Sequence, residues 1–278
     1  MLLRARFELK SEAQIRAMRA SGLIVSNILD DLCDRARPGV TTRELDERAR
    51  EMIAAAGAVS SFLGYGEHFG VPPFPAVTCI SVNDRIVHGI PDDVPLAAGD
   101  IASIDFGVEK DGWHGDSART VLVGQVSERA RALSEATREA LWTGIATLKV
   151  GRRIGDVGHA ISESLKKSGG NFSVVRQFVG HGIGSQMHMD PDVPNFGRPG
   201  KGPRIEAGMC LAIEPIISAG SPVGVTLDDE WTVVTRDHSL AAHWEHTVAI
   251  TKQGLWVLTA ADGGEAELRA RGVPFAPV

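Results

Sequence analysis

The sequence predicts an α/β chain of the α+β kind, and three observations predict it. A helical stretch, a stretch of short β-like runs, two further helices and a strand-like remainder follow one another along the chain. Glycine and proline punctuate the strand-like runs as turns. Gly39, Leu45, Ala49, Ile53 and Gly57 recur 112 positions later as Gly151, Val157, Ile161, Leu165 and Gly169. Two accounts of that repeat stand. Either two amphipathic helices with glycine ends coincide, or the chain holds two related α/β halves with an active site at their junction.

The elements follow in order. Ser11 with Gln14 is a capping box that opens a helix. Ile15, Met18, Leu23, Ile28, Leu29 and Leu32 keep helical spacing, and Pro38-Gly39 ends the segment. Thr41 with Glu44 is a second capping box. Leu45, Ala49, Met52 and Ile53 form its stripe, and Gly57 is the C-terminal stop. Residues 61–75, rich in Gly, Pro and aromatics, read as a loop. Strand-like runs follow at 77–82, 100–108 and 113–123, the last two joined by a turn at Lys110-Asp111-Gly112. Residues 127–148 and 156–167 read as helices. Runs at 172–179, 209–217, 231–234 and 245–251 read as strands. The division expected is an N-terminal extension (1–10), one single domain (11–262) and a C-terminal tail (263–278). The tail, rich in Pro, Gly and charge, is expected to be mobile.

Composition narrows the function. Of 278 residues, 43% are hydrophobic and 23% charged, the values of a globular chain able to bury a large core. A net charge of −6 argues against nucleic-acid binding through bulk charge. Cys33, Cys79 and Cys210 are odd in number and widely spaced, so they read as thiols of a reducing compartment, not as a disulfide framework or a CxxC zinc pair. Residues 1–10 lack the apolar core of a signal peptide. No run reaches the roughly 18 apolar residues of a membrane span.

The chemistry concentrates in five residues. An Asp is usually a turn or surface residue, and Asp111 reads that way. Asp105 does not, because it sits in the apolar run 101–108, where an acid needs a partner. A hairpin turning at Lys110-Asp111 sets Asp105 directly opposite Asp116. A turn at Asp111-Gly112 sets Asp105 opposite Ala118 and makes Asp116 its diagonal neighbour. Either register puts both carboxylates on one face, where a cation would relieve their repulsion. Glu214 and Glu245 are further acids in apolar runs, and glycines flank His181 in Gly180-His181-Gly182. Four carboxylates and one imidazole carry −4, which two divalent ions match. Oxygen-rich ligation with one His suits Mn, Fe, Co or Zn and a hydrolytic reaction.

On these residues the sequence resembles the type I methionine aminopeptidases of the pita-bread fold. The matching stretches are Ile86-Val87-His88-Gly89-Ile90-Pro91, Ile104-Asp105 through Asp116, Gly180-His181-Gly182-Ile183-Gly184, Met187-His188-Met189-Asp190-Pro191, Ala212-Ile213-Glu214-Pro215 and Trp244-Glu245-His246-Thr247. They run in family order from about residue 11 to about residue 259. The resemblance implies two pseudo-symmetric halves with a curved antiparallel sheet covered by helices. It implies that Asp116, His181, Glu214 and Glu245 hold one ion, and that Asp105 holds a second, bridged by Asp116 and Glu245. His88 would contact the scissile amide nitrogen or help the leaving group, His188 would bind and polarise the scissile carbonyl, and Glu214 would also serve as general base or proton shuttle to the water. Cys79, Phe74, Tyr65 and Trp231 would receive the methionine side chain. His114, His159, His238 and His243 read as core or surface histidines, and His246 as structural.

The implied reaction removes an initiator methionine followed by a small residue, by water activated between two divalent ions (Co, Mn, Fe or Zn). The implied partners are N-terminal methionyl peptides and nascent chains, with transient ribosome contact. The chain is expected to be a cytoplasmic monomer with no nucleic-acid specificity and no membrane association. Two departures stand out. Gly107 occupies the position where the family usually has Thr, and residues 66–73 are an insertion between Tyr65 and Phe74. Only 30 residues separate Glu214 from Glu245, too few for the helical insertion of type II enzymes. Two alternatives remain at this point. A Pro-specific aminopeptidase or dipeptidase of the same fold usually carries an extra N-terminal domain, whereas the 87 residues before His88 read as two helices and a loop. A non-catalytic pita-bread binding protein should have lost ligands, and all five are present.

Overall fold

The structure, a computed structural model, describes residues 7–67 and 70–278. Helices α1 (Glu12–Arg35) and α2 (Thr42–Ala55) start at the two capping boxes, where Gln14 and Glu44 side chains accept from the backbone N–H of Ser11 and Thr41. Strands β1 (Val59–Ser60), β2 (Cys79–Val82), β3 (Arg85–Val87), β4 (Ile101–Lys110) and β5 (Trp113–Leu122) follow. Then come α3 (Glu128–Ala146) and α4 (Ile154–Lys167). The second half continues with β6 (Ser173–Val174), β7 (Gly180–Gly182), β8 (Met189–Val193), β9 (Cys210–Ile213) and β10 (Ile216–Ser218). It closes with β11 (Gly224–Thr226), β12 (Val233–Thr235), β13 (Ala241–His243), β14 (His246–Ile250), β15 (Leu255–Val257) and α5 (Glu265–Ala270).

The paired strands are antiparallel. β4 is flanked by β1 and β2 and also carries β5, while a second large sheet runs β15-β14-β9-β7-β8. Of two smaller sheets, β13-β10-β6 is built from the second half alone, and β11-β12-β3 joins β3 of the first half to strands of the second. Each half has its own apolar core. Val25, Leu29 and Leu32 of α1 and Leu45 of α2 pack on Ile104 and Phe106 in the first. Leu141 and Ile145 of α3 and Val157 and Ile161 of α4 pack on Leu211 and Val248 in the second. The repeat in the sequence takes physical form here. α2 and α4 both have 14 residues, and both lie between glycines with left-handed φ, Gly39 and Gly57 in one case, Gly151 and Gly169 in the other.

The β4–β5 hairpin takes the second of the two registers. Asp111 and Gly112 have φ of 53° and 82°, the pair of left-handed residues a type I′ turn requires. Asp105 therefore faces Ala118, and Asp116 faces Gly107. The run 209–217 is two strands, broken at Glu214-Pro215 because Pro215 has no N–H to give to a ladder. The tail, expected to be mobile, is packed instead. Leu268 of α5 is fully buried, Val273 and Phe275 lie against the same core, and Leu255 N–H donates to the Pro274 carbonyl. Apolar residues spaced through a charged segment anchor it. Among the described residues, no helix is long and apolar enough to cross a membrane.

Candidate active site

The site lies on the seam between the halves. Thr247 on β14 stitches it: its hydroxyl donates to the Asp116 carbonyl at 2.8 Å and accepts from Asp116 N–H at 3.1 Å. Glu245 N–H donates to the Ala118 carbonyl at 2.9 Å, and Ser117 Oγ donates to the Glu245 carbonyl at 2.6 Å. These bonds bring β5 and the start of β14 together, and with them Asp116 and Glu245. β7 and β9 pair His181 with Ala212, which places Glu214 two residues further on at the same seam.

A cavity of about 250 Å³ opens there, and it gathers all eleven residues singled out from the sequence. At its polar end, ligand atoms of Asp116, His181 and Glu245 all lie within 4.8 Å of one another. His181 Nε2 is 3.8 Å from Asp116 Oδ2 and 3.5 Å from Glu214 Oε1. His181 Nδ1 is 2.9 Å from the Gly182 carbonyl, which can only accept, so Nδ1 carries the proton and the Nε2 lone pair faces the acids. The flanking glycines permit close backbone approach on both sides of His181. A Cβ at Gly180 would sit 2.3 Å from the Ala212 carbonyl oxygen, and one at Gly182 the same distance from that of Asp190.

This acid cluster is costly without a cation. Burial, then mutual repulsion, pushes the carboxyls of Asp105, Glu214 and Glu245 well above the usual range. Burial raises Asp116 to about 7, held back by the Ser117 N–H. Asp105 Oδ1, Asp116 Oδ1 and Glu245 Oε1 are buried with no hydrogen-bond partner. Buried acceptors left unpaired around one imidazole lone pair fit divalent ions, and the oxygen-rich donor set fits hard or borderline ones.

Aromatic and imidazole groups form the next layer. His88 adopts φ of 58°, a left-handed conformation rare outside glycine, and burial lowers its pKa to about 4. Its ring meets Phe178 and Trp231 edge-on, at 5.4 and 5.8 Å. His188 stands at the cavity mouth, 4.3 Å from the His181 ring, with Nδ1 2.7 Å from the Tyr65 hydroxyl. Part of His188 reaches solvent, yet its ring is packed among these groups and its pKa falls to about 4 through burial and the nearby His114.

The apolar end combines Phe74 and Cys79, both buried, with Tyr65 and Trp231. The Phe74 and Trp231 rings meet edge-on at 5.2 Å. Burial and the neighbouring Asp105 push the Cys79 thiol well above its usual range, so it is a small apolar wall here. The loop between Tyr65 and Phe74 leaves this wall intact. Phe74 N–H donates to the Tyr65 carbonyl and Gly64 N–H to that of Phe74, which staples the two ends of the loop together. Trp231 Nε1 donates to the Pro72 carbonyl at 2.8 Å. At Gly107, the space a Thr would need belongs to Met187, whose Cε lies 2.9 Å from where a Cβ would stand.

Several site residues escape the sequence reading. His243, read there as a core or surface histidine, lines the cavity, with Nε2 3.9 Å from Glu214 Oε2. Its position two residues before Glu245 is the signal that could have found it, since alternate residues of an extended chain share a face. Phe178 and Phe62 also line the cavity, and Asn195 Nδ2 donates to the Glu214 carbonyl at 2.9 Å. His246 is structural, bonded through Nδ1 to Thr259.

An acid-rich cluster on the seam, with the His181 Nε2 lone pair turned into it, suits a metal-dependent hydrolase, and residues 16–252 match metallopeptidase family M24. The chain belongs to that family. It is 49% identical to methionine aminopeptidase 1 of Mycobacterium tuberculosis over 90% of this chain and 94% of that protein. It is 50% identical to the methionine aminopeptidase of Clostridium perfringens, over 90% and 98%. The crystal structure of methionine aminopeptidase from Thermotoga maritima superposes with a TM-score of 0.87 at 38% identity, covering 92% of this chain and all of that one. Prolidase from Pyrococcus furiosus, at 21% identity and a TM-score of 0.72 over 91% of this chain and 65% of that one, shares the fold.

Proposed function

We propose that this chain is a metal-dependent methionine aminopeptidase that removes an N-terminal methionine followed by a small residue. The observation that carries the reading is one cavity with a metal-binding acid cluster at one end and an aromatic and thiol wall at the other. Relatives near half identity over nine-tenths of the chain are methionine aminopeptidases. In this reading Asp105, Asp116, His181, Glu214 and Glu245 would hold the divalent metal. Mn, Fe, Co and Zn suit the donor set. Such ions, when bound, acidify water and polarise a carbonyl.

The chain's own residues do the rest. Glu214 takes the proton from the attacking water and returns it toward the leaving amine. His188 Nδ1 lies 2.7 Å from the Tyr65 hydroxyl; with that hydroxyl as donor the ring proton is on Nε2, from which His188 donates to the scissile carbonyl oxygen as charge develops there. His88, neutral through burial, meets the scissile nitrogen. The methionine thioether lies against Phe74, Cys79, Tyr65 and Trp231, where sulfur–aromatic contacts add about 0.3–1.5 kcal/mol. The catalytic domain, expected at 11–262, takes in the packed residues 263–278 as well, and acts as a cytoplasmic monomer on methionyl peptides and on nascent chains in transient contact with the ribosome. The three free thiols suit that compartment.

Chelator-stripped protein, resupplied with each ion in turn, tests the reading on Met-Ala-Ser, Met-Lys-Ser and an X-Pro peptide. Cleavage of Met-Ala-Ser alone, and only with metal, is expected. Cleavage of the X-Pro peptide in preference, or comparable rates on Met-Lys-Ser, would refute it.

A further inference from the structure

The carboxylate of Glu214 lies between two imidazoles. Its Oε1 is 3.5 Å from His181 Nε2, and its Oε2 is 3.9 Å from His243 Nε2. The two neighbours differ in what they can offer. The His181 lone pair faces inward because Nδ1 is bonded to Gly182. His243 is 2% exposed, and its Nε2 is the one buried imidazole nitrogen without a partner among the described residues. A polar group left so is costly unless something in the working site uses it.

The backbone on both sides is pinned. His243 N–H donates to Thr120 Oγ1 at 2.9 Å, and its carbonyl accepts from the same hydroxyl at 2.8 Å. The Glu214 carbonyl accepts from Asn195 at 2.9 Å. The gap between the ring and Oε2 is thus set by the fold. About 1 Å of approach makes it a hydrogen bond, a distance that rotation of the carboxylate covers.

We propose that His243 is a positioning residue for Glu214: its Nε2–H donates to Oε2 and thereby turns Oε1 toward the ion shared with His181. This rests on the metallopeptidase reading above. A carboxylate has two equivalent oxygens, and a fixed donor on one of them removes the equivalence. Such charge-assisted bonds are short and directional.

Glutamine and asparagine separate this role from space-filling. The Gln amide nitrogen overlays His Nε2, whereas the Asn amide overlays Nδ1 and stops short of Glu214. Calorimetry of Mn binding to stripped protein, alongside Met-Ala-Ser kinetics, compares wild type with His243→Gln, His243→Asn and His243→Leu. His243→Gln should rescue, with ion affinity and kcat within about threefold of wild type. His243→Asn and His243→Leu should each lose about tenfold or more in both, with KM little changed. Wild-type affinity and kcat in folded His243→Asn would overturn the proposal, as would a His243→Gln enzyme as impaired as His243→Asn. If His243→Leu fails to fold, the amide pair decides. A wild type that binds Mn but leaves methionyl peptides uncut sinks the substrate reading alone, because the affinity comparison still stands.

Discussion

Replacing Asp116 by Asn should stabilise the metal-free chain and weaken the metal-loaded one. Burial raises this carboxyl from an ordinary 3.8 to about 7. An acid raised in the folded state holds its proton more tightly there than in the unfolded chain. Folded stability therefore falls as pH climbs from about 4 to about 7 and stays reduced above that. At about 1.4 kcal/mol per pH unit the loss at pH 8 approaches about 4 kcal/mol, and sharing of the repulsion with Asp105, Glu214 and Glu245 leaves roughly 2–4 kcal/mol to Asp116 itself. Asn has nearly the same shape and no charge. In a chain of this size that gain raises the melting temperature by about 5–10 °C at pH 8, and by about half as much or less at pH 5. The assay is thermal unfolding of stripped wild type and Asp116→Asn at both pH values, then with Mn. Metal should reverse the order, since ligand bound to the folded state adds about 2.7 kcal/mol at a hundredfold excess over Kd. Turnover of Met-Ala-Ser by loaded Asp116→Asn should drop about 30-fold or more, about 2 kcal/mol in the barrier. A stripped Asp116→Asn melting at or below wild type at pH 8, or a gap that does not widen from pH 5, would refute the reasoning.

Three further perturbations read other parts of the site. His188→Ala should lower kcat about 100-fold with little change in KM, because a donor to developing charge acts on the transition state; a raised KM at equal kcat would remove that role. Trp231→Ala, in an enzyme that still folds and binds metal, should cut kcat/KM for Met-Ala-Ser about tenfold or more through loss of the thioether wall; an unchanged value would take Trp231 out of the pocket. Gly89→Ala puts a Cβ 2.4 Å from the Ile80 carbonyl oxygen, so β2 and the adjacent His88 must shift. A loss of about 1–3 kcal/mol in unfolding free energy together with a lower kcat is expected, and unchanged values of both would count against the strained placement of His88.

The parts of this site legible in the sequence are those that local geometry fixes. Capping boxes at Ser11 and Thr41 start helices where they stand, because cap and third residue meet within one turn. The placement of Asp105 and Asp116 as diagonal neighbours on one face follows from hairpin arithmetic once a turn is chosen, and φ at Asp111 and Gly112 chose it. The reading of the tail went astray because its composition is polar on average while Leu268, Val273 and Phe275 carry its contacts. The insertion at 66–73 obscured the rim, because nothing local shows that Tyr65 and Phe74 bond across it.

The sequence by itself determined the donor types, the two glycine-bounded helices 112 positions apart, and the placement of two acids on one hairpin face. These depend on contacts a few residues apart, where spacing and turn chemistry leave little choice. Only the tertiary structure decided which distant groups share the cavity. Thr247 bonds Asp116 across 131 positions, and Asn195 reaches the backbone of Glu214 from another strand connection. It alone turned His243 toward Glu214 and brought Phe178 to His88. Those meetings arise from the packing of two cores against one seam, and side-chain direction there is set by the partner half, whose position no local pattern encodes.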